Sequence, residues 1–205
     1  MKRLLAAAIA AALLLSGCTS ASRPAESAPP TGTPSPSPTP IVTPTPEPEP
    51  ADGELVLVRD YIPGIFIDLK YATTDNFTGR VIYDSDEAYL RYGTVKKLLC
   101  AQNELSGRGL SLKIWDAYRP VSAQFKLWEI CPNPVYVSDP NNGYSKHSRA
   151  NTVDITLVTD TGKSIPMPSG FDDFTSLADR DYSDVSAEAA ENARLLENVM
   201  VENGF

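Results

Sequence analysis

The segment from Thr19 to about Gly53 is built of Pro, Ser, Thr, Ala and Glu, and its middle reads PPTGTPSPSPTPIVTPTPEPEP. Such a stretch has too few large apolar side chains to bury a core. Its prolines favour extended polyproline geometry, near ~3.1 Å per residue. The reading is a disordered but semi-rigid stalk over residues 18–53; the alternative is a proline-rich ligand for a partner domain. Any folded unit is confined to Glu54–Phe205, about 150 residues, enough for one core.

What precedes the stalk is not structural. Lys2 and Arg3 are followed by an apolar run, Leu4 to Leu15, too short to span a bilayer comfortably. Residues 1–17 therefore read as a secretory signal. The run ends in Leu15-Ser16-Gly17-Cys18, the form of a bacterial lipobox. Cleavage there leaves Cys18 first, where its thiol can carry a diacylglycerol; the alternative is an ordinary secreted protein with a chance cysteine. Each buried methylene contributes about 0.8 kcal/mol, so acyl chains would hold the protein at the membrane. The expected location is the extracytoplasmic face of the cell membrane, lipid-anchored, with the stalk lifting the domain into the wall.

The formal net charge is −8, and no basic stripe is present, so no nucleic-acid partner is expected. Beyond Cys18 only Cys100 and Cys131 remain. One disulfide is possible in an oxidising compartment. Cys100, in an apolar helical stretch, is expected instead to pack as a small hydrophobe.

Within the domain, GIFIDLKYAT alternates Ile65, Ile67 and Leu69, the pattern of a half-buried strand. TVKKLLCAQNELSGRG has helical spacing: Thr94 can cap it, Val95, Leu98, Leu99, Gln102 and Leu105 form the inner stripe, and Gly107 or Gly109 ends it. LSLKIW alternates again and breaks at DAYRP, where Pro120 suits the first turn of a helix with Val121, Phe125 and Trp128 inward. A long Pro/Asn/Gly loop leads to a β-branched strand, NTVDITLV, and a last helix runs from a Ser186 cap to a Gly204 stop. Strands and helices are mixed without regular alternation. That predicts one α+β domain with an antiparallel central sheet flanked by helices.

Three constellations could carry chemistry. His147 is the only histidine, and Asp154 follows it across a loop-to-strand junction. Neutral imidazole and carboxylate suit zinc, whose catalytic sites take about three protein ligands and a water. Asp154 stands between Val153 and Ile155 in an apolar strand, and a buried carboxylate needs a cation or donors. A salt bridge to Arg149 would satisfy it equally. In WDAYRP, Asp116, Tyr118 and Arg119 gather where a strand ends. Arg119 could hold an oxyanion with its planar donor fork, or merely pair with Asp116. In GFDDFT, Asp172 and Asp173 could take a substrate amine or lie in a solvated loop.

Together DLKYATTDNFTG, DAYRP, SKHSRANTVDITLV and GFDDF resemble the D-alanyl-D-alanine dipeptidases of the VanX type, zinc peptidases of the cell wall. The resemblance runs from about Asp68 to Phe205. It implies that His147 and Asp154 are zinc ligands, within the family pattern Ser-x-His-x-x-Gly-x-x-x-Asp, and that Arg119 stabilises the transition state. It further implies that Tyr71, Asp116, Ser145 and Asp173 shape the pocket and hold the ends of a D-Ala-D-Ala dipeptide or a peptidoglycan stem. Two departures follow. Ala150 stands at the family's glycine. The family's third ligand and its catalytic glutamate lie in a later Glu-x-x-His, and the sequence stops at Phe205 without a second histidine. The expectation is therefore weak zinc binding and little hydrolysis by these 205 residues. The alternatives are a D,D-carboxypeptidase on peptidoglycan stems and a non-catalytic wall-binding module.

Overall fold

The structure, a computed structural model, describes residues 48–205. The expected signal, Cys18 and most of the stalk lie outside the described residues. Nine regular elements follow in order: β1 (Leu55–Leu57), α1 (Val58–Tyr61), β2 (Phe66–Ile67), β3 (Tyr89–Arg91), α2 (Tyr92–Ser106), β4 (Leu110–Asp116), α3 (Val121–Ile130), β5 (Asp154–Thr159) and α4 (Ala187–Glu202). Single 3-10 turns form at Lys70–Ala72, Lys146–Arg149 and Ser176–Ala178.

The class is α+β. The sheet at its centre has the order β2-β4-β5 and is mixed: β4 and β5 are antiparallel, but β2 runs parallel to β4. A parallel pair requires a long crossover, which the chain makes through α2, packed on β4. A separate antiparallel pair joins β1 to β3. Leu112 and Ile114 of β4, Leu157 of β5, Leu98 and Leu105 of α2 and Leu127 of α3 meet in one core. The strand expected around Ile65, Ile67 and Leu69 shrinks to Phe66–Ile67, although Leu69 is buried.

Helix α2 starts at Tyr92, ahead of the expected Thr94 cap, and has no side-chain cap. Its first amides are instead satisfied by the preceding backbone: Tyr92 donates to Glu54 O at 2.8 Å and Gly93 to Asp52 O at 3.0 Å. Asp52 also pairs with Lys96 at 2.6 Å, so the last residues of the expected stalk dock on the domain. Val95, Leu98, Gln102 and Leu105 face inward as the spacing predicts, joined by Ala101 rather than Leu99. Gln102 fastens α2 to β4, accepting from Leu112 N at 2.9 Å and donating to Ser111 Oγ at 3.0 Å. Cys100, expected to pack, is exposed on the opposite side, and Cys100 and Cys131 are both free thiols.

Helix α3 buries Ala123, Gln124 and Leu127, while Phe125, expected inside, is exposed. The rotation follows from Gln124, whose amide has polar partners only if it points inward (see below). Helix α4 has the expected Ser186 cap, which accepts from Ala189 N at 3.2 Å. It closes in a Schellman motif: Gly204, at φ +88°, donates to Val201 O, and Phe205 N donates to Met200 O, both at 3.0 Å.

Candidate active site

The site is assembled where β4 ends and β5 begins. An irregularity between Ile114 and Asp116 shifts the register, so Ile114 faces Ile155 and Asp116, rather than Trp115, faces Asp154. A bulge of this kind re-aims side chains without breaking the sheet. Here it sets two carboxylates opposite each other, an arrangement that repels unless cations intervene.

Asp116 is fully buried, and both of its oxygens are taken. Oδ1 accepts from the Tyr83 hydroxyl and, at 2.8 Å, from Ala117 N. Oδ2 accepts from Arg119 Nη2. Arg119 is clamped on every nitrogen: Nη1 donates to Gln124 Oε1 at 3.0 Å, and Nε reaches the Tyr83 hydroxyl at 3.4 Å. Gln124 in turn donates to Ser138 O at 2.7 Å. The Tyr71 ring covers one face of the guanidinium at 4.9 Å. Burial works against the Arg119 charge, but Asp116 and the two tyrosines outweigh it and push its pKa further up.

His147 sits in the 3-10 turn Lys146–Arg149. Ser145 caps that turn by accepting from His147 N at 3.3 Å, and Ala150 ends it in the left-handed region at φ 56°. This is the conformation glycine adopts at no steric cost, at the family's glycine position. His147 Nδ1 lies 2.9 Å from Ala117 O. A carbonyl only accepts, so Nδ1 carries the proton, and Nε2 is the nitrogen that faces Asp154 Oδ1 at 3.5 Å. Nδ1 is also 3.4 Å from Asp116 Oδ2. Burial pulls the imidazole pKa down, but Asp154 and Asp116 together more than offset it, so His147 stands above its ordinary value.

Asp116, His147 and Asp154 form a group able to hold a metal ion, with one donor atom of each within 4.8 Å of the others. Their chemistry separates them. Asp116 already accepts three hydrogen bonds, whereas the Asp154 side chain is 40% exposed and opens on a cleft. The open donors are therefore His147 Nε2 and Asp154. A histidine whose second nitrogen is fixed by a carbonyl is the usual arrangement at such sites.

The cleft measures about 710 Å³ and runs from Asp154 and Asp172 along the inner side of α4 to Met200 and Phe205. Of the two adjacent aspartates in GFDDFT, Asp172 reaches the cleft: it accepts from the Tyr71 hydroxyl at 2.7 Å, and burial raises its pKa. Asp173 accepts from Thr175 N at 2.9 Å and Thr175 Oγ1 at 2.7 Å, which holds its own loop. Asp172 lines the cleft, whereas Asp173, the residue expected at the pocket, does not. Among the described residues no ion pair joins Asp154 to Arg149; the partner of Asp154 is His147. Tyr83 and Gln124 were not singled out from the sequence. Their partners are 33 and 5 residues away, and neither spacing is periodic.

An α+β domain that sets one imidazole between opposed carboxylates, beside a clamped arginine and an open cleft, is built as a hydrolase of the metallopeptidase class. A family model described as D-ala-D-ala dipeptidase matches residues 51–205. The D-alanyl-D-alanine dipeptidase of Escherichia coli K12 is 38% identical over 152 residues, covering 74% of this chain and 78% of that protein. The Enterococcus faecium enzyme of the same name is 32% identical over 71% of this chain and 82% of its own length. That of Streptomyces coelicolor is 34% identical over 75% and 86%. The chain belongs to the D-alanyl-D-alanine dipeptidase family.

Proposed function

We propose that the domain hydrolyses the D-Ala-D-Ala dipeptide in cell-wall metabolism with zinc as its metal ion. The observation that carries this is the open pair of donors, His147 Nε2 and Asp154 Oδ1, 3.5 Å apart beside the cleft. Bound zinc would supply a water of lowered pKa and polarise the scissile carbonyl.

The chain's own residues supply the rest. Ala117 O keeps the His147 proton on Nδ1 and leaves Nε2 free to ligate. Arg119 engages one N–H at each nitrogen, three of roughly five, which leaves the others for the carbonyl oxygen as it gains charge. Asp172, held by Tyr71 at the same cleft as Asp154, suits the substrate's ammonium group. Ser145 shapes the turn that presents His147. Among the described residues the site offers two open protein donors, where a catalytic zinc site has about three.

The test is release of D-Ala from D-Ala-D-Ala by the purified, zinc-supplemented chain, with L-Ala-L-Ala as control. Equal rates on the two, or none on either, would overturn the reading. A second reading is a D,D-carboxypeptidase on stem peptides, which would use the same donors and differ in how open the cleft is around the substrate's amino end. N-acetyl-D-Ala-D-Ala separates them: cleavage of the blocked substrate supports the carboxypeptidase.

The proposed location is the extracytoplasmic membrane face, through a lipid on Cys18. Its support is the sequence Leu15-Ser16-Gly17-Cys18 after an apolar run. Labelled palmitate incorporated by the natural chain and lost in Cys18→Ser is the expected result. Equal labelling of both removes the anchor.

A further inference from the structure

The buried phenol of Tyr83 lies at the head of a chain of hydrogen bonds that ends at the imidazole. Its hydroxyl donates to Asp116 Oδ1, and the same oxygen accepts from Ala117 N at 2.8 Å. The carbonyl of Ala117 then accepts from His147 Nδ1 at 2.9 Å. We propose that the Tyr83 hydroxyl is a positioning group for His147, acting through Asp116 and the Ala117 backbone. The inference rests on the reading that His147 Nε2 is a metal-ligating atom.

Several features make the phenol more than filler. Tyr83 is only 8% exposed, and its backbone is fixed by donation from Tyr83 N to Tyr71 O at 2.9 Å. Its ring packs on Tyr71 at 5.7 Å, so the hydroxyl has one place to point. A buried, ionised carboxylate needs several donors. Arg119 and His147 Nδ1 both approach Oδ2, so Oδ1 depends on Ala117 N and Tyr83. Without the phenol, Asp116 could rotate about its terminal torsion, which is broad for a carboxylate. Asp116 Oδ1 would then hold Ala117 N less firmly, and the Ala117 carbonyl would favour the Nδ1–H tautomer less strongly. The hydroxyl also accepts from Arg119 Nε at 3.4 Å, so the same group helps aim the guanidinium.

The test uses the full chain labelled with ¹⁵N-histidine. His147 is the only histidine, so one pair of imidazole nitrogens reports the tautomer directly. Tyr83→Phe keeps the ring and removes the hydroxyl. At a pH where the imidazole is neutral, the Nδ1–H tautomer should dominate in the wild type and lose population in Tyr83→Phe. The zinc dissociation constant should rise by about 10–100-fold, the usual effect of removing an outer partner of a ligand. On D-Ala-D-Ala, kcat should fall while KM stays within about twofold, as for a group that acts on geometry rather than on substrate binding. A purely structural tyrosine would lower the melting temperature and leave the tautomer and zinc affinity alone. That result, in a Tyr83→Phe chain that still folds, overturns the inference. A mutation-free measurement covers a variant that does not fold: the Tyr83 hydroxyl proton of the wild type should resist exchange with solvent, and free exchange overturns the proposal. Absent dipeptide turnover with the tautomer shift intact would sink the proposed reaction and leave this inference standing.

Discussion

Asp116, the last residue of β4, and Asp154, the first of β5, are cross-strand partners, with the His147 imidazole between them, Nδ1 3.4 Å from the first and Nε2 3.5 Å from the second. The two carboxylates differ in surroundings, and that difference divides their work. Asp116 is inside and saturated with donors; Asp154 is at the rim and open.

Removing the open carboxylate should therefore abolish metal binding before it harms the fold. Asp154→Asn is expected to raise the zinc dissociation constant by more than the roughly 10–100-fold typical of an outer partner, with a thermal unfolding midpoint close to wild type. Competition with a chromophoric chelator measures the first and calorimetry the second. Wild-type zinc affinity in Asp154→Asn would remove Asp154 from the ligand set.

The buried carboxylate should behave the opposite way. Asp116→Ala leaves Arg119 inside without its counter-charge. Breaking a buried pair by deleting one partner costs about 3–5 kcal/mol. Urea unfolding should show a loss of that order, with an unchanged slope. A loss under ~1 kcal/mol, the range of surface pairs, would mean that water reaches the guanidinium.

The raised His147 pKa predicts two opposite pH slopes. The unfolded imidazole titrates near ~6.5, and the folded one above its ordinary value. The protonated, metal-free site is thus stabilised fully below the unfolded pKa. That contribution is lost as pH rises through the folded pKa. Zinc needs the neutral imidazole, so its affinity should fall about tenfold per pH unit once pH drops below the folded pKa. Melting with and without chelator across this range should show the metal-free chain losing stability as the zinc-bound chain gains it. Parallel slopes would place the Nε2 lone pair away from the metal.

The sequence carried the local parts of this architecture and missed the distant ones. The inner stripe of α2 and the Ser186 and Gly204 boundaries of α4 depend on neighbours within a turn, so periodicity and caps reveal them. The meeting of His147 with Asp154 was legible for a similar reason, since one short connection joins turn and strand. The start of α2 was not, because its caps are carbonyls from Asp52 and Glu54, some 40 residues earlier. Nor was the role of Tyr83, whose partner is across the core. Choosing between Asp172 and Asp173 needed the left-handed backbone of Asp172 (φ 51°), which turns its side chain towards Tyr71. No residue pattern announces that turn, since both positions are aspartate.

Ala150 offers the most direct check on how tightly the His147 turn is built. An L-residue in the left-handed region costs about 1–2 kcal/mol. Glycine would recover that strain but would give back about 0.5–1 kcal/mol in backbone entropy. It would also lose a buried methyl contributing about 0.8 kcal/mol, since Ala150 is only 2% exposed. The terms nearly cancel, so Ala150→Gly should shift stability by no more than about 1 kcal/mol in either direction. Ala150→Val has no such compensation: a β-branched residue is an outlier at φ 56°, and the extra methyls meet a closed site. It should cost about 2 kcal/mol or more, and should weaken zinc binding by moving the carbonyl of His147, which accepts from both Ala150 N at 2.9 Å and Arg119 N at 3.3 Å. Chemical denaturation of the two variants side by side measures the difference. A valine tolerated as well as glycine would show that the turn adapts freely and does not hold the imidazole in place.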